Sequence, residues 1–320
     1  MRVLVTGASG FAGSHLCEHL LAQGEEVFAL CRAGCSTENL QGIRERITVL
    51  SGDLLDREWT GRMVAEVRPE AVYHLAGLAS PSASFADPAG TLTTNILAQV
   101  HLFQAILEAG LDPVVLVIGS SEEYGMVPPE EVPIDEDTPL RPANPYAVSK
   151  VAQDFLGLQY FLSHRLRAVR VRPFNHIGPR QALGFVAADF AHQIASIEAG
   201  RQPPVLRVGN LNARRDFTDV RDMVRAYALA VACGEPGEVY NIGSDTGHTI
   251  AEILELLLGF CRVEVRVETD PARLRSADIP VLVCDSRRFR RRTGWQPRIP
   301  LEQTLRDTLD YWRERVGASR

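Results

Sequence analysis

Four side chains in two short segments could act together on one carbonyl. Ser120 and Glu122 lie in Ser120-Ser121-Glu122-Glu123-Tyr124-Gly125, and Tyr146 and Lys150 lie in Tyr146-Ala147-Val148-Ser149-Lys150. A hydroxyl, a carboxylate, a phenol and an ammonium can polarise a carbonyl oxygen and move a proton on or off it. Tyr146 and Lys150 are four apart, so on a helix they share one face. A nearby ammonium favours a phenolate, so Lys150 is expected to bring Tyr146 closer to neutrality. Ser120 ends an apolar run and can hydrogen-bond the same oxygen. A Tyr-x-x-x-Lys pair alone also describes an ordinary surface helix, so its meaning depends on what stands upstream.

Upstream, the chain opens on Thr6-Gly7-Ala8-Ser9-Gly10-Phe11-Ala12-Gly13, placed between an apolar strand pattern and a helix pattern. Gly7 permits a tight turn, Gly10 lets the backbone approach a phosphate, and Gly13 lets helix and strand pack closely. The helix N-terminus favours the anion. This loop therefore predicts a bound dinucleotide. The second strand ends Leu30-Cys31-Arg32, with no acid to take a ribose 2′-hydroxyl. Arg32 can neutralise a 2′-phosphate instead, which predicts NADP(H), with NAD(H) as the alternative.

The elements that must position these groups follow a regular alternation. Strands are predicted at Val3–Thr6, Val27–Cys31, Ile47–Leu50, Ala71–Leu75, Val114–Gly119 and Val169–Pro173, continuously apolar as parallel strands covered on both faces require. Helices are predicted at Ala12–Gln23, Thr60–Val67, Ala89–Glu108 and Tyr146–His164. The alternation implies an α/β fold with a doubly wound parallel Rossmann sheet. Beyond Pro173 the rhythm changes. Helices Phe185–Ala199, Thr249–Phe260 (Thr249 as N-cap) and Leu301–Val316, with strands Val205–Gly209, Val239–Ile242 and Val263–Glu268, predict a smaller C-terminal α/β substrate-binding lobe. The expected division is residues 1–172 for the cofactor and 173–320 mainly for substrate, with segments near 214–243 returning to the sheet.

The G-x-x-G-x-x-G spacing, with Ser120, Tyr146 and Lys150, resembles the extended short-chain dehydrogenases/reductases, the branch of NAD-dependent epimerases and dehydratases acting on nucleotide sugars. The resemblance covers essentially all of the chain. It implies that Asp53-Leu54 contacts adenine and that Leu75-Ala76-Gly77 forms a wall beneath the cofactor. Asn95 resembles the family's helix asparagine near the lysine, with a buried-amide or capping role as the alternative. Arg172-Pro173-Phe174-Asn175-His176-Ile177-Gly178-Pro179-Arg180 resembles the GDP-mannose-modifying members, which would set Asn175 and Arg180 on the diphosphate or sugar. Arg215 matches a diphosphate-binding arginine, and the run containing Arg275 and Asp278 a nucleoside contact. Ser120-Ser121-Glu122 resembles the Thr/Ser-x-Glu run of 4,6-dehydratases, where the glutamate removes the C5 proton. Glu122 could do that here, or position a substrate that is already dehydrated; Glu123 is expected to face away.

The resemblance thus implies a GDP-sugar substrate and NADPH-dependent reduction of the C4 ketone of GDP-4-keto-6-deoxy-D-mannose to GDP-D-rhamnose. A dehydratase or epimerase is the first alternative. A dinucleotide-binding regulator without turnover is a remote one, since such proteins usually lose the Tyr/Lys pair. By the same analogy the broad apolar faces of Ala89–Glu108 and Tyr146–His164 imply a homodimer.

Bulk composition agrees. The chain has 320 residues, 45% of them hydrophobic, and a net charge of −6, which points to neither a nucleic-acid nor a membrane-surface partner. Six cysteines without zinc spacing, and no signal-peptide or membrane-span pattern, lead to the expectation of a cytoplasmic protein with no bound metal. The basic run Arg287–Arg292 reads as a solvated helix face.

Overall fold

The computed structural model describes residues 1–273 and 279–318. The first half lays down β1 (Arg2–Thr6), α1 (Phe11–Ala22), β2 (Glu26–Arg32), β3 (Thr48–Gly52), α2 (Arg57–Val67), β4 (Ala71–His74), α3 (Pro81–Ala86), α4 (Pro88–Glu108), β5 (Val114–Ile118), α5 (Pro145–His164) and β6 (Arg167–Pro173). Then come β7 (Asn175–Ile177), α6 (Val186–Glu198), β8 (Val205–Val208), β9 (Arg214–Asp219), α7 (Val220–Cys233), β10 (Val239–Ile242), β11 (Gly247–Thr249), α8 (Ile250–Gly259), β12 (Arg266–Thr269), β13 (Val281–Leu282), α9 (Arg287–Thr293) and α10 (Leu301–Ala318).

Seven strands form one parallel sheet in the order β3-β2-β1-β4-β5-β6-β10. All four residues of β4 are buried, which is why its sequence carries no alternation. One face is covered by α1 and α7, through Leu16, Leu20, Met223 and Tyr227. The other is covered by α2, α4 and α5, through Val64, Leu102, Phe103 and Tyr160. The sheet is therefore doubly wound, and its order reverses between β1 and β4, the place where such sheets bind ligands.

A second core gathers α6, α8 and α10 around Ile194, Leu257 and Leu309. The α8 start is fixed by a capping box. The Thr249 hydroxyl accepts from the Glu252 N–H at 3.1 Å, and the Glu252 carboxylate accepts from the Thr249 N–H at 3.0 Å.

Differences from the sequence-based expectations are local. The expected strand Val263–Glu268 forms over Arg266–Thr269, where it pairs in parallel with β8. The β9–α7 unit was not anticipated: α7 follows β9 without a loop, started by the Asp219 carboxylate accepting the Arg221 N–H at 2.7 Å. The basic run does form a helix, α9, but Arg288, Arg290 and Arg292 are ion-paired rather than merely solvated. Arg288 pairs with Glu136 and Asp137, Arg290 with Asp245, and Arg292 with Glu235.

Candidate active site

A cleft of about 1020 Å³ opens at the carboxyl ends of β1, β4 and β5 and runs to α6 in the second core. Its first wall is the glycine loop. Gly7 has φ +67°, and a Cβ there would lie 2.9 Å from the Ala76 nitrogen. A Cβ on Gly13 would lie 2.2 Å from the Gly7 carbonyl oxygen. The start of α1 is thus pressed onto the turn, and Gly10, Phe11, Ala12 and Gly13 at the helix N-terminus line the cleft. Phe11 lines the same wall, and its ring stacks on His176 at 5.8 Å. Arg32, Asp53, Leu54, Leu75, Ala76 and Gly77 line the cleft beside it. Asp53 holds its turn by accepting the Leu55 N–H at 2.9 Å.

Ser120 follows β5 and caps a short 3₁₀ turn, Ser121–Glu123. Its hydroxyl accepts from the Glu122 N–H at 3.2 Å, while the Glu123 carboxylate accepts from the Ser120 N–H at 2.7 Å. Asn144 caps α5 by accepting the Ala147 N–H at 2.8 Å, and its amide donates to Glu122 at 3.0 Å. Glu122 is thereby held at the cleft with Ser120, Tyr146 and Lys150. Glu123 turns away into the protein and is fully buried.

Tyr146 and Lys150 lie on the buried face of α5. Burial, the largest cause, raises the Tyr146 phenol well above its usual value; the nearby Ser120 hydroxyl opposes the rise, and the charges of Glu122 and Glu123 add to it. The expected depression of Tyr146 by Lys150 is therefore not present here. The Lys150 ammonium lies 5.9 Å from the Tyr146 ring centre. It donates to the Ile118 carbonyl and to Gln153, each at 2.9 Å. Burial lowers Lys150 to about 8, opposed by Glu123.

On the far side of the cleft, Asn175 and Arg215 line the wall. The Asn175 Oδ1 and the Gln181 Oε1 are buried without a hydrogen-bond partner, as expected of groups that serve a ligand. Arg215 is buried in β9, donating to the Arg214 carbonyl at 3.0 Å. Arg180 corrects an expectation. It stands outside the cleft lining, where Glu18 on α1 accepts from it at 2.6 Å, and its backbone takes φ +73°. Arg275 and Asp278 lie outside the described residues. Asn95 is a buried amide: it accepts the Leu78 N–H at 2.7 Å and donates to the Ser149 hydroxyl at 2.8 Å, tying the loop after β4 to α5. Asn144 and Gln153, which hold Glu122 and Lys150, were missed by the sequence reading. The signal for Asn144 was an Asn-Pro pair directly before a helix pattern.

A glycine-lined turn at the sheet's switch point, with serine, tyrosine and lysine across the cleft from it, defines a short-chain dehydrogenase/reductase of the extended type. Residues 4–308 match the family described as GDP-mannose 4,6 dehydratase, and the chain belongs to that family. It is 39% identical over 315 residues to the GDP-6-deoxy-D-mannose reductase of Pseudomonas aeruginosa, with 98% of each chain covered. The solved structure of RMD from Pseudomonas aeruginosa complexed with NADPH superposes with a TM-score of 0.85 at 36% identity, covering 98% of this chain and 100% of that one. The UDP-glucose 4-epimerase of Thermus thermophilus in complex with NAD gives 0.87 at 33%, covering 98% and 99%.

Proposed function

We propose that the protein reduces the C4 ketone of GDP-4-keto-6-deoxy-D-mannose with NADPH, giving GDP-D-rhamnose. The glycine cradle fits a dinucleotide: the Gly7 and Gly13 positions leave no room for a Cβ. Gly7, Gly10, Phe11, Gly13 and Leu75–Gly77 would hold the pyrophosphate and nicotinamide portions, Asp53 and Leu54 the adenine, and Arg32 a 2′-phosphate. NADPH, when bound, supplies a hydride to the carbonyl carbon. Ser120 then hydrogen-bonds the ketone oxygen, and Tyr146 gives up its phenolic proton as alkoxide character develops. Lys150 holds positive charge beneath that oxygen. Asn175 and Arg215 would engage the sugar and diphosphate.

The observation that carries the reading is that Ser120, Tyr146 and Lys150 line one cleft with the glycine cradle. The similarity to a GDP-6-deoxy-D-mannose reductase supports the substrate. The fixed Glu122 carboxylate favours a second reading, 4,6-dehydration of GDP-mannose with Glu122 as the C5 base. Incubation with GDP-mannose alone, and with the keto sugar plus NADPH, separates them. The reductase oxidises NADPH only with the keto sugar; loss of water from GDP-mannose without net NADPH use overturns that assignment.

We further propose a cofactor domain at residues 1–172, a mainly substrate-binding lobe at 173–320, and a homodimer. The outer face of α5 exposes Val148, Phe155 and Leu162, one every seven residues, beside Leu97 on α4, a stripe suited to pairing with its own copy. Six free cysteines agree with a reducing, cytoplasmic setting.

A further inference from the structure

We infer that Glu123 is a positioning residue for the reaction, its buried carboxyl group accepting the Ser120 N–H and fixing the turn that presents the Ser120 hydroxyl to the cleft. The inference rests on the reductase reading only for its assay. Nothing in the chemistry of the cleft uses Glu123, yet the structure is built around it. Its side chain is fully buried. One carboxylate oxygen accepts the Ser120 N–H at 2.7 Å, and Gly119 has no side chain because a Cβ there would lie 2.3 Å from that oxygen. The other lies 3.3 Å from the Arg172 Nε, with no hydrogen bond of its own. A buried carboxylate with an unfilled acceptor is costly unless its charge serves a neighbour.

The charged groups around it are few. From α5 it faces Asp154, which repels it, and Lys150, which attracts it; from β6 it faces Arg172. Arg170 is held off by Asp154 at 2.8 Å, and Tyr124, next in the chain, accepts from Arg172 at 3.0 Å. Lys150 faces Glu123, with His74 from β4 and Tyr146 on its own helix. His74 is neutral, pushed down to about 3 by burial. Burial and Asp154 push Glu123 up to about 8, the same range to which burial lowers Lys150. The geometry that carries the role is the 2.7 Å contact with the Ser120 N–H, which a neutral carboxyl group accepts as a charged one does.

Two variants test this in the intact protein with NADPH and the keto sugar. Glu123→Gln keeps an acceptor for the Ser120 N–H and removes the ionisable group. Its kcat and substrate KM should stay near wild type, because the amide oxygen still accepts the Ser120 N–H. Glu123→Ala removes the acceptor as well. Its kcat should fall about 10²-fold at every pH, the scale of a mispositioned catalytic group, while NADPH binding by fluorescence persists. A kcat in Glu123→Gln as low as in Glu123→Ala overturns the role of the side chain as the Ser120 acceptor. Wild-type kcat in Glu123→Ala, with only a lower melting temperature, overturns positioning. If Glu123→Ala does not fold, Glu123→Leu, which lacks the acceptor but fills the space, takes its place with the same expected loss. A wild type silent toward NADPH and keto sugar refutes the reductase reading instead, and the same comparison is then read in water loss from GDP-mannose.

Discussion

Gly13→Ala tests the glycine cradle most directly. The added methyl would sit 2.2 Å from the Gly7 carbonyl oxygen and 2.9 Å from the Ala8 Cα. Both are backbone atoms of the turn itself, so no side chain can swing aside. Relief requires α1 to withdraw from β1 by about an ångström, against a packing that includes buried Leu16 and Leu20. Overpacking of this kind costs about 1–3 kcal/mol, which a chain of this size registers as a few degrees of melting temperature. The effect on the cofactor should be larger. The displaced segment is the helix N-terminus that would meet the pyrophosphate. NADPH affinity should fall at least about tenfold, or about 1.4 kcal/mol. Fluorescence titration with NADPH and a thermal melt measure the two effects separately. Gly61→Ala, in α2 with open space around the new methyl, is the control: it should leave binding unchanged and raise stability by about 0.5–1 kcal/mol. Wild-type NADPH affinity in Gly13→Ala would refute the assignment of this loop as the cofactor cradle.

Three further outcomes follow from the same geometry. Tyr146→Phe should bind NADPH normally and lose about 10²–10⁴-fold in kcat; normal turnover would remove Tyr146 as the proton donor. Arg32→Glu should weaken NADPH at least about tenfold while sparing NADH, as parallel titrations would reveal; equal losses for both would mean Arg32 does not read the 2′-phosphate. Phe155→Asp places a charge in the exposed α5 stripe and should shift the protein from dimer to monomer in light scattering; since each apolar anchor is worth about 1.5–3 kcal/mol and two-fold symmetry doubles it, an unchanged mass would place the interface elsewhere.

The parts of this protein written in local patterns were legible in the chain. The glycine loop, Ser120 and the Tyr146–Lys150 pair each declare themselves within a few residues, and the parallel strands by unbroken apolar runs. Thr249 was readable as a cap because Ser/Thr before a helix pattern has a local reason to be there. What escaped depends on partners far away in sequence. Arg180 looks like a ligand-facing cation until Glu18, 162 residues distant, takes its charge. The phenol of Tyr146 was expected to fall because Lys150 is four residues away, but its surroundings depend on how the sheet and helices bury it, which spacing does not encode. Glu123 was expected to face away, and does; that it points back at Ser120 as the second half of a capping box could have been read from Ser-x-x-Glu.

The same distinction explains why α5 can hold its active-site residues in place. Tyr146, Lys150 and Asp154 recur every four residues, so all three face the sheet. Asp154 accepts from Arg170 at 2.8 Å and from the Arg172 Nε at 2.9 Å, all three side chains nearly inaccessible. Burying such a cluster is no cheap route to stability, since desolvation offsets much of the attraction. Its use is directional. Two guanidiniums on β6 meet one carboxylate one turn beyond Lys150, so α5 can neither rotate nor slide along the sheet without stranding a buried charge. Packing by the apolar residues of α5 alone would tolerate such a shift, because hydrophobic contact has no direction. The charged pins beneath the helix therefore convert a greasy interface into a fixed register, and that register sets where Tyr146 lies relative to Ser120 at the cleft.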